Sequence, residues 1–147
     1  ANDKEVLNNG VSSFVHDAVP ATELAKIYEH SDIVLHVEGL DDTNAIFTRY
    51  SFSTKIMDCL SCGATMMAVC HPSQAGYSYL CKNDVALCAS SRSALEQIFT
   101  EVAKAPQMLI DYANKAYLFG SENHDRKFVQ KQILQDFRDV IDESYRN

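Results

Sequence analysis

The apolar residues fall into short segments whose period changes along the chain. Residues 33–37 (IVLHV), 65–70 (TMMAVC) and 85–89 (VALCA) are compact apolar runs. Runs of this length predict strands, and 33–37 reads as a strand covered on both faces. Residues 11–15 (VSSFV) predict another β-type segment. After Pro20, Leu24, Ile27 and Tyr28 recur at helical spacing. Ile56, Cys59 and Leu60 do the same within 53–62, and Gly63 supplies the stop. Residues 72–82 predict a short helix, and Leu95, Ile98, Phe99 and Val102 mark the inward face of one over 91–104. Pro106 suits a first helical position. Met108, Leu109, Tyr112, Ala113, Ala116 and Tyr117 form the apolar face that follows, and GSENHD at 120–125 predicts its end. A last amphipathic helix is predicted over 127–145, with Val129, Ile133, Phe137, Val140 and Ile141 on one side. Residues 38–50 show no period and read as a loop.

Strands alternating with helices imply an α/β fold: a Rossmann-like open parallel sheet with flanking helices and two closing C-terminal helices. The 147 residues suffice for one domain. In such sheets ligands bind beyond the carboxyl ends of the strands. The loops at 16–20, 38–54 and 70–76 are therefore the places to look.

Charge narrows the choice. The net charge is −7, and all of it lies in residues 1–48, which hold two basic and nine acidic side chains. No basic face is available for a nucleic-acid backbone. An anion site must be local, and Arg49 and Lys55 are the first bases after Lys26. The odd number of cysteines, five, argues against a disulfide framework. Cys59 and Cys62 have no second pair at zinc-site spacing, so all five are expected to be reduced, buried thiols and no metal is expected. Among the histidines, His36 reads as core, His71 as a satisfied turn residue and His124 as a capping residue. Cys70 and His71 sit next to each other on a strand end and point opposite ways, which excludes a nucleophile pair. ANDKEVLNNG holds no signal-type apolar run and no stretch approaches a membrane span, so a cytoplasmic location is expected, with a peripheral membrane position open to a full-length enzyme.

The segment RYSFSTKIMDCL concentrates candidate chemistry. Arg49, Tyr50, Ser51, Ser53, Thr54 and Lys55 crowd a predicted helix start. Capping needs one hydroxyl, and cations there are unfavourable unless an anion compensates them. A helix start with free amides suits a phosphate. Asp58 does not fit a capping box, and one turn inside the helix it shares a face with Thr54. From there a carboxylate can accept hydrogen bonds from ribose hydroxyls.

At these residues the chain resembles the retaining, nucleotide-sugar-dependent glycosyltransferases with two Rossmann-like domains, the GT-B fold (glycosyl transferases group 1 family). SFSTKIMDCLSCGATMMAV is similar to that family's turn, K-x-x-E helix and apolar strand. Residues 19–28 followed by Ser31-Asp32-Ile33-Val34-Leu35 are similar to its preceding helix and strand. The resemblance implies that Asp58 binds the donor ribose. It implies that Ser53, Thr54 and Lys55 face the donor diphosphate. His16, Asp17 and Val19 would then lie near the base and the reacting sugar. Glu38 is the candidate to face that sugar in catalysis. The sequence departs from the family where it has Tyr50, eight positions before Asp58, in place of a Glu. It also lacks a glycine near His16, and the strand and loop with which the family's C-terminal domain begins and which supply an Arg and a Lys to the diphosphate.

Residues 1–147 are accordingly expected to be one partial donor-binding domain, with the N-terminal acceptor domain absent and little turnover alone. The expected partners are a nucleoside diphosphate sugar, the remainder of the enzyme and a second copy of the chain, with no cofactor beyond the donor. The alternative is a non-catalytic Rossmann-like module that binds a nucleotide or only protein partners.

Overall fold

The computed structural model describes residues 3–144. Its strands are β1 (Ile33–Val37), β2 (Thr65–Val69) and β3 (Leu87–Ala89). The helices are α1 (Asp3–Leu7), α2 (Ala21–Glu29), α3 (Asp42–Thr48), α4 (Lys55–Ser61), α5 (Ala75–Lys82), α6 (Arg92–Lys104), α7 (Gln107–Asn123) and α8 (Arg126–Ser144). The three strands form one parallel sheet in the order β1-β2-β3. Ile33 pairs with Thr65 and Val37 with Val69, while Met67 pairs with Leu87 and Val69 with Ala89. The fold is thus α/β, an open parallel sheet flanked by helices, as the alternation implies.

Parallel strands need covering on both faces, and β2 has it: every one of its residues is buried. On one face Met66, Ala68 and Cys70 pack with Val34, Ile56, Leu60, Leu80 and Ala116. On the other, Met67, Val69, Leu87 and Ala89 meet Leu95, Ile98 and Val102 of α6 and Met108, Leu109 and Tyr112 of α7. Edge strand β1 differs from expectation. Val34 and His36 face the first layer and are buried, but Leu35 is 59% and Val37 56% exposed. The reason is topological: α6 packs mainly on β3 and α7 on β2, and of β1 only Ile33, at its start, joins that layer.

Three further local readings are corrected. Residues 11–15 form no strand, because the Asn9 side-chain oxygen takes the amides of Val11, Ser12 and Ser13 at 3.0, 2.9 and 2.9 Å. The supposed loop at 38–50 contains α3, capped by Asp41, whose carboxylate accepts from the Asn44 amide at 2.9 Å. That helix buries only Ala45, so it carries no apolar stripe for the period to reveal. Helix α7 continues through Gly120 to Asn123. A Cβ at Gly120 would lie 3.1 Å from the Leu60 Cβ and carbonyl oxygen, so this glycine serves close packing of α7 on α4.

Other boundaries agree within a residue or two, except that α5 starts at Ala75, three residues after the predicted 72. Gly63, at φ +81°, follows α4 as its stop. Ser91 caps α6 by accepting from the Ala94 amide at 3.2 Å. Phe99 and Tyr117, expected inward, are exposed. The apolar stripe of α8 is exposed too, and Tyr145, the expected end of that helix, lies outside the described residues. Among the described residues no helix is long and apolar enough to cross a membrane.

Candidate functional site

Helix α4 separates the candidate residues into two places. One is a groove of about 380 Å³ between α2 and α4. Ala21, Leu24 and Ala25 supply an apolar side from α2, and Tyr28 and Glu29 continue it. Asp58, Ser61 and Cys62 face them from α4. Tyr28 also packs against the core, and burial, then the neighbouring Cys59 and Asp58, raise its phenol above the ordinary value. The lining has two acids and no base among the described residues. Such a groove suits a flat ring with attached hydroxyls and repels phosphate.

The second place lies at the carboxyl end of the sheet. A cavity of about 10 Å³ is bounded by His36 and Glu38 from β1 and its exit. Thr48, Ser51 and Ser53 border it between α3 and α4, and Gln74 and Gly76 border it at the start of α5. Backbone bonds fix these walls. The Glu38 amide donates to the Val69 carbonyl at 3.1 Å, and the Ala75 amide to the Arg49 carbonyl at 2.8 Å. Gln74 is 3% exposed and donates from Nε2 to Thr48 Oγ1 at 2.6 Å. His36 is 3% exposed, and its Nδ1 has no hydrogen-bond partner among the described residues. Burial, and next in size the neighbouring Lys55 and Glu38 charges with opposite effects, leave its pKa below the ordinary value.

The remaining sequence candidates border neither space. Arg49 caps the end of α3 and lays its guanidinium 4.6 Å from the centre of the exposed Tyr50 ring. Thr54 precedes α4 without a side-chain cap bond. The Ile56 and Met57 amides donate to the Ser53 and Thr54 carbonyls at 3.1 and 3.2 Å. An anion at this short helix would therefore meet the amides before them, and Lys55. His16, Asp17 and Val19 lie in the segment leading to α2, where Asp17 pairs with Lys4.

The structure also settles several alternatives. Cys59 and Cys70 are buried, and burial pushes both thiols up to about 11. Cys81, expected to be buried, is exposed. The His71 ring bonds the Ser73 hydroxyl at 2.8 Å and lies 3.2 Å from Asp42, so it is a satisfied turn residue. His124 follows α7 as its C-cap, and its Nε2 meets the Tyr79 hydroxyl at 2.7 Å. Among the described residues no group of three or more His, Cys, Asp or Glu is placed to hold a metal ion.

Sequence reasoning missed Tyr28, Glu29, Ser61 and Cys62 of the groove, and Thr48, Gln74 and Gly76 of the cavity. For Ser61 and Cys62 a signal existed, since both lie three or four residues after Asp58 and share its side of α4. Thr48, Gln74 and Gly76 lie within the loops at 38–54 and 70–76 that the sequence marked, without being singled out there, while Tyr28 and Glu29 come from a segment brought near only by folding.

A model of the glycosyl transferase-like family matches residues 8–135, most of the chain and all of both spaces. The chain belongs to that family. Neither the curated proteins nor the solved structures contain a match.

Proposed function

We propose that this glycosyl transferase-like chain is the donor-binding half of a retaining GT-B enzyme that transfers a sugar from a nucleoside diphosphate sugar to an acceptor. The observation that carries the reading is the groove between α2 and α4, with Asp58 opposite an apolar wall. The base lies against Leu24 and Ala21, and the ribose hydroxyls donate to the Asp58 carboxylate. The acidic lining directs the diphosphate out of the groove, toward Lys55 and the amides at the start of α4. The sugar then lies over the strand ends near Glu38.

In the transfer, the bond between the anomeric carbon and the diphosphate oxygen breaks. The diphosphate leaves with the electron pair, its freed oxygen takes the acceptor hydroxyl's proton, and the acceptor oxygen bonds the anomeric carbon on the face the diphosphate leaves. Lys55 and the nearby amides stabilise the leaving charge, and the groove holds the nucleoside so that the anomeric carbon is positioned. Glu38 faces the sugar. Acceptor groups and further phosphate ligands come from outside these residues, so isolated turnover is expected to be slow. The donor is the sole small molecule required, with no metal.

A second reading, a module acting only through protein partners, draws on the exposed Leu35 and Val37 of β1 and the exposed stripe of α8. Thermal melting with millimolar UDP, GDP and ADP separates the two. At ten times Kd a one-site ligand adds about 1.4 kcal/mol, a clear rise in Tm. The donor reading expects a rise with at least one of the three and its loss in Asp58→Ala. No rise with any of them sinks that reading in favour of the second.

A further inference from the structure

His36 is the one residue at the strand ends whose buried chemistry is unfinished. Its place on β1 turns the ring toward α4 and α5, where 3% of the residue is exposed and Nδ1 has no partner among the described residues. Leaving a buried polar atom unsatisfied forfeits its hydration without return, so such an atom calls for a partner. Two of the neighbouring polar groups, Gln74 and Thr48, are engaged with partners other than His36. Gln74 Nε2 donates to Thr48 Oγ1 at 2.6 Å, and Thr48 Oγ1 donates to the Asn44 carbonyl at 3.0 Å. The ring borders a cavity of about 10 Å³, near the smallest space that accepts one water-sized group. Gly76, on the cavity's border, packs tightly against Ile56. A Cβ there would lie 2.7 Å from Ile56 Cδ1 and 3.8 Å from His36 Nε2.

The ligand class follows from the lining. Glu38 disfavours an anion, and the hydroxyls of Ser51 and Ser53 favour an uncharged polar group. Burial lowers the pKa of His36 and favours the neutral imidazole, whose ring nitrogens exchange hydrogen bonds with a hydroxyl in either direction. The cavity sits beside Ser53, just ahead of α4, and beside Glu38, where the proposed function brings the transferred sugar.

We propose that the buried His36 imidazole seats a single hydroxyl of the donor's sugar in this cavity, making His36 a sugar-reading residue. The inference rests on the nucleotide-sugar reading above, but it concerns the sugar and not the nucleotide.

The test uses the full chain with ¹⁵N-labelled histidine. Ring nitrogen shifts are followed during titration with UDP, UDP-glucose, UDP-galactose, GDP and GDP-mannose, with the His36 signal assigned from its loss in His36→Asn. The expected result is a shift of the His36 ring nitrogens with at least one sugar-bearing donor and none with the matching diphosphate alone. In parallel, His36→Phe should reduce the affinity gained from the sugar roughly tenfold, the worth of one hydrogen bond, and leave diphosphate affinity unchanged. The wild-type titration needs no variant to fold. If the chain binds diphosphates and their sugars while His36 stays silent, or responds equally to both, this proposal is overturned and the donor reading survives. If none of the five binds, the donor reading falls and this proposal falls with it.

Discussion

The groove beside α2 and the cavity at the strand ends are walled by the same stretch of chain, yet they differ in almost every physical respect. The groove is wide, holds about 380 Å³, and carries two carboxylates at its margin. The cavity holds about 10 Å³ and is closed around a buried imidazole. A wide acidic groove can hold a flat ring and its hydroxyls but discriminates weakly among them. A cavity that admits one small group discriminates by size and by hydrogen bonding together. Under the proposed function, the contrast would divide the labour, with affinity from the nucleoside and selectivity from the sugar.

The largest effect should come from breaking what the two places share. Leu60 is fully buried in α4, the helix between them. Leu60→Ala should cost about 2–5 kcal/mol in urea unfolding and weaken ligand binding at both places. A loss below ~1 kcal/mol would mean that α4 is not their common support.

Asp58→Ala should sharpen the contrast by acting on the groove alone. Hydrogen bonds to a charged group are worth about 1.5–3 kcal/mol, so nucleoside diphosphate affinity should fall about 10- to 150-fold by calorimetry. The unfolding midpoint without ligand should barely move. Equal weakening by Glu29→Ala would shift the ribose contact from α4 to α2.

A smaller effect should report the cavity. His36 and His124 both have pKa values lowered by burial from 6.5. A base whose pKa is lower in the folded state binds more protons when unfolded. Its contribution is therefore complete above 6.5 and is lost as pH falls below that value. Urea midpoints should drop as pH falls below 6.5, and His36→Asn should flatten the decline to the part due to His124. An unchanged slope would show that the His36 ring is not sealed off in solution.

The smallest expected effect is none. EDTA should leave the nucleotide-induced rise in Tm unaltered, because the proposed diphosphate contacts are amides and Lys55. Loss of the rise on chelation, with recovery on adding magnesium, would replace those contacts by a metal.

Much of the fold was legible because its signals are local. The Ile56, Cys59, Leu60 stripe and the Gly63 stop locate α4 within a residue or two, and TMMAV reads as a strand because both its faces are covered. Where a local rule failed, a neighbour outside the pattern intervened. Asn9 captured the amides that VSSFV needed for pairing, and Gly120 served helix packing, not helix ending. In α3 the apolar period was absent because the helix barely enters the core. For the candidate site, the sequence marked Asp58 and Ser53 as polar groups near one helix start, but not that they border different spaces.

By itself the amino-acid order determined the alternation of strands and helices, the stop at Gly63 and the chemistry available around α4. Capping, period and turn preference act over a few residues, so they can be read along the chain. Only the tertiary structure decided that α2 would stand opposite Asp58, that β1 would keep one face bare, and that a nitrogen of the core residue His36 would find no partner among the described residues. Those outcomes depend on which distant segments pack together, and packing is settled by the shape and volume of the whole core.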